Sequence, residues 1–416
     1  MEQLRIDGGA SLSGSVRADG AKNAALPACI ASLLTDDPVV LHDVPQLRDV
    51  STILYTLGTL GKRVVRHGDH VSIGAGERLV EEADAFSVRQ MRASFLVLAP
   101  LLARLGRAVV PLPGGCAIGR RPVDLHLDGL RSLGARVTEE GGVVVVSCDR
   151  LIGARIDLPF PSVGATEQIL MAAVLARGET RILNGAIEPE VEDVVCLLKK
   201  MGAQIETDGR TYTVTGMDRL GGAEHTLIPD RMEAGTLLLA GAMTRGAVSV
   251  LGANGTHLEP FLRPLRETGA EVTVNVEGVH VQGPARPRPV DVNTAPHPGF
   301  PTDLHPPLVA HLALAEGTSR MVESVFDGRF AYAEALSSMG AQLARSGSAL
   351  VIHGVPGLRG GAVAASDIRA GAALVLAGLV AQGETVVSHL DHIDRGYSGL
   401  EGKLRALGAR IEREGE

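Results

Sequence analysis

The stretch Leu57–Ile73, "LGTLGKRVVRHGDHVSI", reads as the end of a helix, a glycine, a short strand, a tight turn and a second strand. The same signature returns as "LRSLGARVTEEGGVVVVS" (Leu130–Ser147), "LKKMGAQIETDGRTYTVTG" (Leu198–Gly216) and "LRETGAEVTVNVEGVHVQG" (Leu265–Gly283). It appears again as "LSSMGAQLARSGSALVIHG" (Leu336–Gly354) and "LRALGARIEREGE" (Leu404–Glu416). The helix-ending glycines, Gly61, Gly134, Gly202, Gly269, Gly340 and Gly408, are spaced by 73, 68, 67, 71 and 68 residues. Even spacing over the whole chain marks an internal repeat. Glycine suits each position because a helix commonly closes on one residue of positive φ.

An apolar helix, a small turn and a strand precede each copy. Examples are "LMAAVLARGETRILNGA" (Leu170–Ala186), "LLAGAMTRGAVSVLGA" (Leu238–Ala253) and "LVLAGLVAQGETVVSHL" (Leu374–Leu390). Each unit therefore reads βαβαββ. The helices are apolar nearly all round, which predicts buried helices with sheets outside them. The last copy stops after its first short strand, and "QLRIDGGASLSGSVR" (Gln3–Arg17) has the alternation to supply what is missing. The chain is thus expected to close on itself into two α/β domains of three repeats each. One spans residues 21–228; the other joins residues 1–20 to 229–416. An active site is expected in the cleft between them.

Composition narrows the function. Hydrophobic residues at 45% and charged ones at 21% describe an ordinary globular chain. A net charge of −8 without a basic run argues against a nucleic-acid or membrane-surface partner, and 3% aromatic content leaves little for base stacking. The N-terminus lacks a signal-peptide pattern and no apolar run reaches membrane-spanning length. Cys29, Cys116, Cys148 and Cys196 form no CxxC pair, and the histidines no HxxxH pair, so neither a disulfide framework nor a metal site is expected. The reading is a cytoplasmic protein with reduced thiols.

Several polar clusters interrupt the repeats. Lys22 and Asn23 in "DGAKNAALP" stand just before a helix, where a cation beside small residues suits an anion. Arg92 in "VRQMRASFLVLAP" opens an apolar helix. In "PGGCAIGRR" (Pro113–Arg121), Cys116 follows two glycines and precedes Arg120 and Arg121, surroundings that favour a thiolate. Asp303 lies among prolines and glycines in "PGFPTDLHPP", and Arg395 precedes the final helix in "HIDRGYSGLEGKL". Cys29, Cys148 and Cys196, in apolar helices or strands, read as inert packing thiols.

Together these motifs resemble the enolpyruvyl transferases, over the whole chain and in order: "GAKNAALP", "RQMRAS", "LPGGCAIG", "RPVDLH", "PSVGAT", "IPDR", "GFPTD" and "HIDRGY". The resemblance implies an inverted (inside-out) α/β barrel in each of two domains, agreeing with the repeats. It also implies transfer of the enolpyruvyl group of phosphoenolpyruvate to the 3-hydroxyl of UDP-N-acetylglucosamine, with no cofactor or metal and no obligate protein partner. By the same resemblance Cys116 is the acid and Asp303 the base. Lys22, Asn23, Arg92, Arg121 and Arg395 hold phosphoenolpyruvate. Asn23, Arg92, Arg121, Pro122, Val123, Asp124, Leu125, Ser162, Val163, Gly164, Asp303 and Val325 contact the sugar nucleotide. Asp367 and Arg369 in "ASDIRAG" are expected to pair with each other, and Asp230 and Arg231 in "IPDR" to act at a crossover between domains. Leu304 and His305 stand where the family usually has Met-Gln, and Arg120 where a small residue is common. Two rivals are transfer to another acceptor, such as UMP or shikimate 3-phosphate, and a non-catalytic paralogue that binds a sugar nucleotide.

Overall fold

The computed structural model describes residues 2–114 and 123–415. They form two compact units, residues 2–19 with 229–415, and residues 20–114 with 123–228. Each unit contains three sheets and its own hydrophobic core.

The βαβαββ reading is visible in the pairing. In the sheet of residues 155–215, strand Arg155–Asp157 pairs in parallel with Glu179–Leu183 across the helix Val163–Ala173. The hairpin Gln204–Asp208/Thr211–Thr215 then adds antiparallel, with Thr211–Thr215 against Glu179–Leu183. Four other sheets repeat the order, and the sixth has three named strands, its fourth place reduced to a bridge between Glu82 and Val109. All six helix-ending glycines have positive φ, from 91° to 101°.

Closure differs from the simplest expectation. Strand Gln3–Asp7 does complete the last sheet, lying between Glu384–Ser388 and Arg410–Glu414. Strand Ser13–Arg17, however, joins Ala247–Leu251 in parallel and so opens the fourth repeat instead. In the other unit Ala223–Thr226 plays the same part beside Val39–His42. The unit of residues 20–228 thus takes its opening strand from its own C-terminal end, and the other unit takes it from its N-terminal segment, residues 2–19.

The two helices of a repeat also differ. The first is buried almost throughout: every residue of Arg231–Met243 and of His305–Leu312 is inside, and so is all of Lys22–Ala31 except Asn23. The second, such as Gly255–Glu267 or Pro189–Lys200, is amphipathic and keeps one face in solvent. Only the first helices fit the expectation of full burial.

Burying a histidine on such a helix has a pH consequence. His311 is fully buried; its Nε2–H donates to Thr268 Oγ1 (3.1 Å), whose own proton goes to the Leu265 carbonyl. Nδ1 has no acceptor, so burial pushes the imidazole down to about 4. An unfolded histidine takes its proton near 6.5. Stability is therefore lost as pH falls from 6.5 towards 4, by up to about 3 kcal/mol. His311→Gln, which keeps a donor for Thr268, is expected to flatten that part of the stability–pH curve in urea titrations. A variant curve parallel to wild type would refute the assignment.

Candidate active site

In the unit of residues 2–19 and 229–415, Asp303 lies in the single 3-10 turn Thr302–Leu304, which runs straight into the helix His305–Leu312. Buried Leu304 pins this turn against Gly235, where a Cβ would meet Leu304 Cδ1 at 2.7 Å. The Asp303 carboxylate is gripped from both sides. Oδ1 accepts from Arg329 Nη1 (2.6 Å), and Oδ2 accepts from Arg369 Nε (3.0 Å) and Nη2 (2.8 Å). Both guanidiniums are almost fully buried, while the Asp303 side chain remains 23% exposed. Burial alone would raise the carboxyl's pKa. The charges of Arg369 and Arg329 and their hydrogen bonds outweigh that and hold it well below the usual carboxylate range.

This corrects the expected Asp367–Arg369 pair. Asp367 instead caps the helix Ile368–Val380, its Oδ1 accepting from the backbone N–H groups of Arg369 (2.8 Å) and Ala370 (3.0 Å). The cap fixes the helix start, and the Arg369 side chain is thereby delivered to Asp303. Sequence reading missed Arg329 altogether. Its signal was the turn "ESVFDGRF" (Glu323–Phe330), of which only Val325 was singled out.

Glu323, also unforeseen, organises that turn. Its fully buried carboxylate accepts five hydrogen bonds: at Oε1 from Thr294 Oγ1 (2.9 Å), Val325 N–H (2.8 Å) and Phe326 N–H (3.1 Å), and at Oε2 from Thr302 Oγ1 (2.7 Å) and His305 Nδ1 (2.9 Å). His305 is buried, its Nε2 2.7 Å from the Tyr332 hydroxyl, and it meets Asp303 through Glu323 and its partners.

Arg395 is half-buried just after the short helix Leu390–Ile393. Its loop is tied down by Asp394, which Arg413 grips at 2.7 and 3.0 Å. Gly396 lets the loop approach Ile368, where a Cβ would lie 2.3 Å from Ile368 Cγ2. Buried Tyr397 lies with its ring 5.4 Å from the Arg369 guanidinium and its hydroxyl 2.9 Å from Thr236 Oγ1. Arg395 thus sits on a loop packed against the helix start that carries Arg369. Asp230 caps the helix Arg231–Met243 through the N–H groups of Met232 (2.7 Å) and Glu233 (3.0 Å).

In the unit of residues 20–114 and 123–228, Lys22 opens the helix Lys22–Ala31 and is buried, with Nζ 2.7 Å from Asp49 Oδ2. A solvated surface lysine is thereby excluded. Asn23 beside it is exposed. Arg92, half-buried, starts the 3-10 helix Arg92–Val97, as the sequence suggested. Val123 is the N-cap of the helix Asp124–Ser132, which places Asp124 and Leu125 in its first turn. Ser162 caps Val163–Ala173, with Gly164 in the first turn, where a Cβ would come within 2.9 Å of His126 Cε1. That close approach brings the starts of these two helices together, and helix starts present free N–H groups that suit an anion. Cys116, Arg120, Arg121 and Pro122 lie outside the described residues.

The other thiols are inert for different reasons. Cys29 is fully buried, and burial pushes it up to about 12. Partial burial raises Cys148, which follows the strand Val143–Ser147. Cys196 corrects the expectation of a packed thiol: it is exposed on the helix Pro189–Lys200, although burial of its stem and the nearby Asp193 still raise it. Among the described residues, no group of three His, Cys, Asp or Glu side chains is placed to hold a metal, and no helix is long and apolar enough to cross a membrane.

The family described as EPSP synthase (3-phosphoshikimate 1-carboxyvinyltransferase) matches residues 6–404. The chain is 48% identical over 416 residues, covering 99% of both, to a protein of Carboxydothermus hydrogenoformans named UDP-N-acetylglucosamine 1-carboxyvinyltransferase 2. It is 47% identical, again covering 99% of both, to UDP-N-acetylglucosamine 1-carboxyvinyltransferase 1 of Staphylococcus aureus. Among solved structures, the enolpyruvyl transferase NikO from Streptomyces tendae superposes with a TM-score of 0.90 at 27% identity, covering 99% of this chain and 98% of that one. EPSP synthase from Acinetobacter baumannii, at 19% identity and a TM-score of 0.79 with full coverage of both chains, shares the two-domain inside-out α/β fold.

Proposed function

The chain belongs to the EPSP synthase (3-phosphoshikimate 1-carboxyvinyltransferase) family, and from that premise we propose that it moves the enolpyruvyl group of phosphoenolpyruvate to the 3-hydroxyl of UDP-N-acetylglucosamine, releasing phosphate. This is a step of peptidoglycan precursor synthesis and a cytoplasmic reaction of two small molecules. The observation that carries the choice of acceptor is near-complete coverage at 47–48% identity to relatives named for it, against 27% for the chain of the enolpyruvyl transferase NikO.

The chemistry makes three demands. Phosphoenolpyruvate brings a phosphate and a carboxylate, which Lys22, Arg92, Arg121 and Arg395 would meet with fixed charge, the arginines through planar forks. Its methylene carbon takes a proton, assigned to Cys116, so that the neighbouring carbon becomes electrophilic. The sugar hydroxyl then attacks that carbon and gives its proton to Asp303. Loss of a methyl proton and of phosphate restores the double bond in the new ether.

Asp303 is a weak base in its grip of two arginines, and that shapes the step. An attacking hydroxyl becomes an oxonium as the C–O bond forms, and an oxonium is a strong acid. A carboxylate held below the usual range can still take that proton, late in the attack, while orienting the hydroxyl from the start. Val123, Asp124 and Leu125 with Ser162, Val163 and Gly164 would receive the uridine diphosphate, and Asn23 and Val325 the sugar.

Phosphate release from phosphoenolpyruvate, measured in parallel with UDP-N-acetylglucosamine, UMP and shikimate 3-phosphate, tests the assignment. Release is expected only with the first. Equal or faster turnover with UMP would transfer the protein to the other branch, and no release with any acceptor would favour a non-catalytic paralogue.

A further inference from the structure

The contacts around Glu323 fix the direction of every proton in a buried chain. A carboxylate can only accept, and a guanidinium can only donate. Glu323 Oε2 therefore receives Nδ1–H of His305 and O–H of Thr302. Burial holds the His305 imidazole below its usual pKa and so neutral, which leaves Nε2 without a proton to accept the Tyr332 hydroxyl. The Thr302 oxygen, having spent its proton on Glu323, accepts Arg329 Nη1–H at 3.0 Å. That same Nη1 lies 2.6 Å from Asp303 Oδ1. The chain thus runs from Tyr332 through His305, Glu323, Thr302 and Arg329 to Asp303.

We propose that Thr302 is a positioning residue for the reaction: its hydroxyl joins the rigid Glu323–His305–Tyr332 cluster to Arg329 and so sets where the Asp303 carboxylate points. The inference rests on the reading of Asp303 as the group that orients and deprotonates the acceptor hydroxyl. Its physical basis is the contrast between the two ends. Tyr332, His305 and Glu323 are all buried, and each is held by at least one neighbour in the chain, whereas the Asp303 side chain is partly open to solvent. A solvent-facing carboxylate swings unless its partners are themselves fixed. On the Arg369 side the fixing is done by two parallel hydrogen bonds from a capped helix start. On the Arg329 side a single nitrogen is shared between Asp303 and Thr302, so the hydroxyl sets its direction. This also gives His305 a role: its ring selects which Glu323 oxygen faces Thr302.

The test compares Thr302→Ala, Thr302→Val and Thr302→Ser in steady-state phosphate release, with melting curves for each. Thr302→Val keeps the volume and loses the hydroxyl; Thr302→Ser keeps the hydroxyl and loses the methyl. The expected result is a kcat lowered about 10- to 100-fold in the Ala and Val variants, as for a lost hydrogen bond to a charged group. KM for both substrates should stay near wild type, and Thr302→Ser should return kcat to within about threefold of it. Wild-type kcat in Thr302→Val, or failure of Thr302→Ser to restore it, would overturn the proposal. Crystal structures of the Val and Ser variants provide a readout independent of activity. Arg329 is expected to leave Asp303 in the first and return in the second. An unmoved guanidinium in Thr302→Val overturns the positioning role even if the acceptor proves to be something other than UDP-N-acetylglucosamine. Absence of wild-type phosphate release together with the expected Arg329 movement would instead count against the proposed function alone.

Discussion

Asp303→Asn is expected to lower turnover about 100- to 10,000-fold while both substrates still bind. The amide preserves the shape of the side chain and a hydrogen-bond acceptor, so the hydroxyl can still be located. What it cannot do is take the proton of the oxonium that forms on attack. The same change removes the charge that Arg329 and Arg369 share, leaving two buried guanidiniums facing a neutral group. Breaking a buried pair from one side typically costs about 3–5 kcal/mol, so the melting temperature should fall as well. The two effects separate cleanly: kcat measured well below the transition, with substrate binding by calorimetry, reads the chemistry, and the melting curve reads the ion pairs. Near-normal kcat would place the base elsewhere and leave Asp303 as an anchor for the two arginines.

Selective alkylation of Cys116 is the second large effect. An epoxide carrying a phosphonate, such as fosfomycin, should modify Cys116 on the order of 100-fold faster than any other cysteine. The comparison thiols set the scale. Burial raises Cys29 to about 12, and Cys148 and Cys196 are raised too, so each is almost wholly protonated at neutral pH. Exposed Cys196 is the demanding control, because access alone would label it. The cations assigned to phosphoenolpyruvate would hold the phosphonate beside Cys116, and UDP-N-acetylglucosamine is expected to speed the reaction. Arg120→Ala should slow it by removing a charge four residues along the chain from the thiol. Peptide mapping by mass spectrometry, with and without the sugar nucleotide, decides the matter. Label on Cys196 at a comparable rate, or none on Cys116, would remove the thiol from the proton-transfer role.

The repeat was readable because it rests on local physics. A helix must stop, Gly61 and its five counterparts stop it with positive φ, and a hairpin follows within a few residues. Where structure departed from the reading, the deciding contact was remote. Strand Ser13–Arg17 has the same alternation as Gln3–Asp7, and nothing local says that one pairs with Ala247–Leu251 and the other with Glu384–Ser388. The candidate site divides along the same line. Asp303, Arg395 and Lys22 stand out as charges among glycines and prolines or at helix starts. Arg329 and Arg369 reach Asp303 from 26 and 66 residues away, and Glu323 reads as an ordinary polar residue at a strand end. Asp367 and Arg369 are near neighbours in the chain, which suggested a pair. The helix start took the carboxylate for its N–H groups and freed the guanidinium for another partner.

Strand Gln3–Asp7 is made long before either of its two neighbours. Its register partners are residues 384–387 on one side and 410–414 on the other. Residues 20–228 hold all three sheets of their unit, so that unit can assemble while synthesis continues. The other unit must leave this strand unpaired until residues 384–387 and 410–414 have been made. During that interval the strand exposes Leu4 and Ile6, both fully buried once it is paired, along with an unsatisfied edge on each side. Arg5 and Asp7 keep its outer face polar, and once the strand is paired Arg5 bridges Glu384 (3.2 Å) on one side and Glu414 (3.1 Å) on the other. The order in which strands are made, as much as final geometry, therefore constrains residues 3–7.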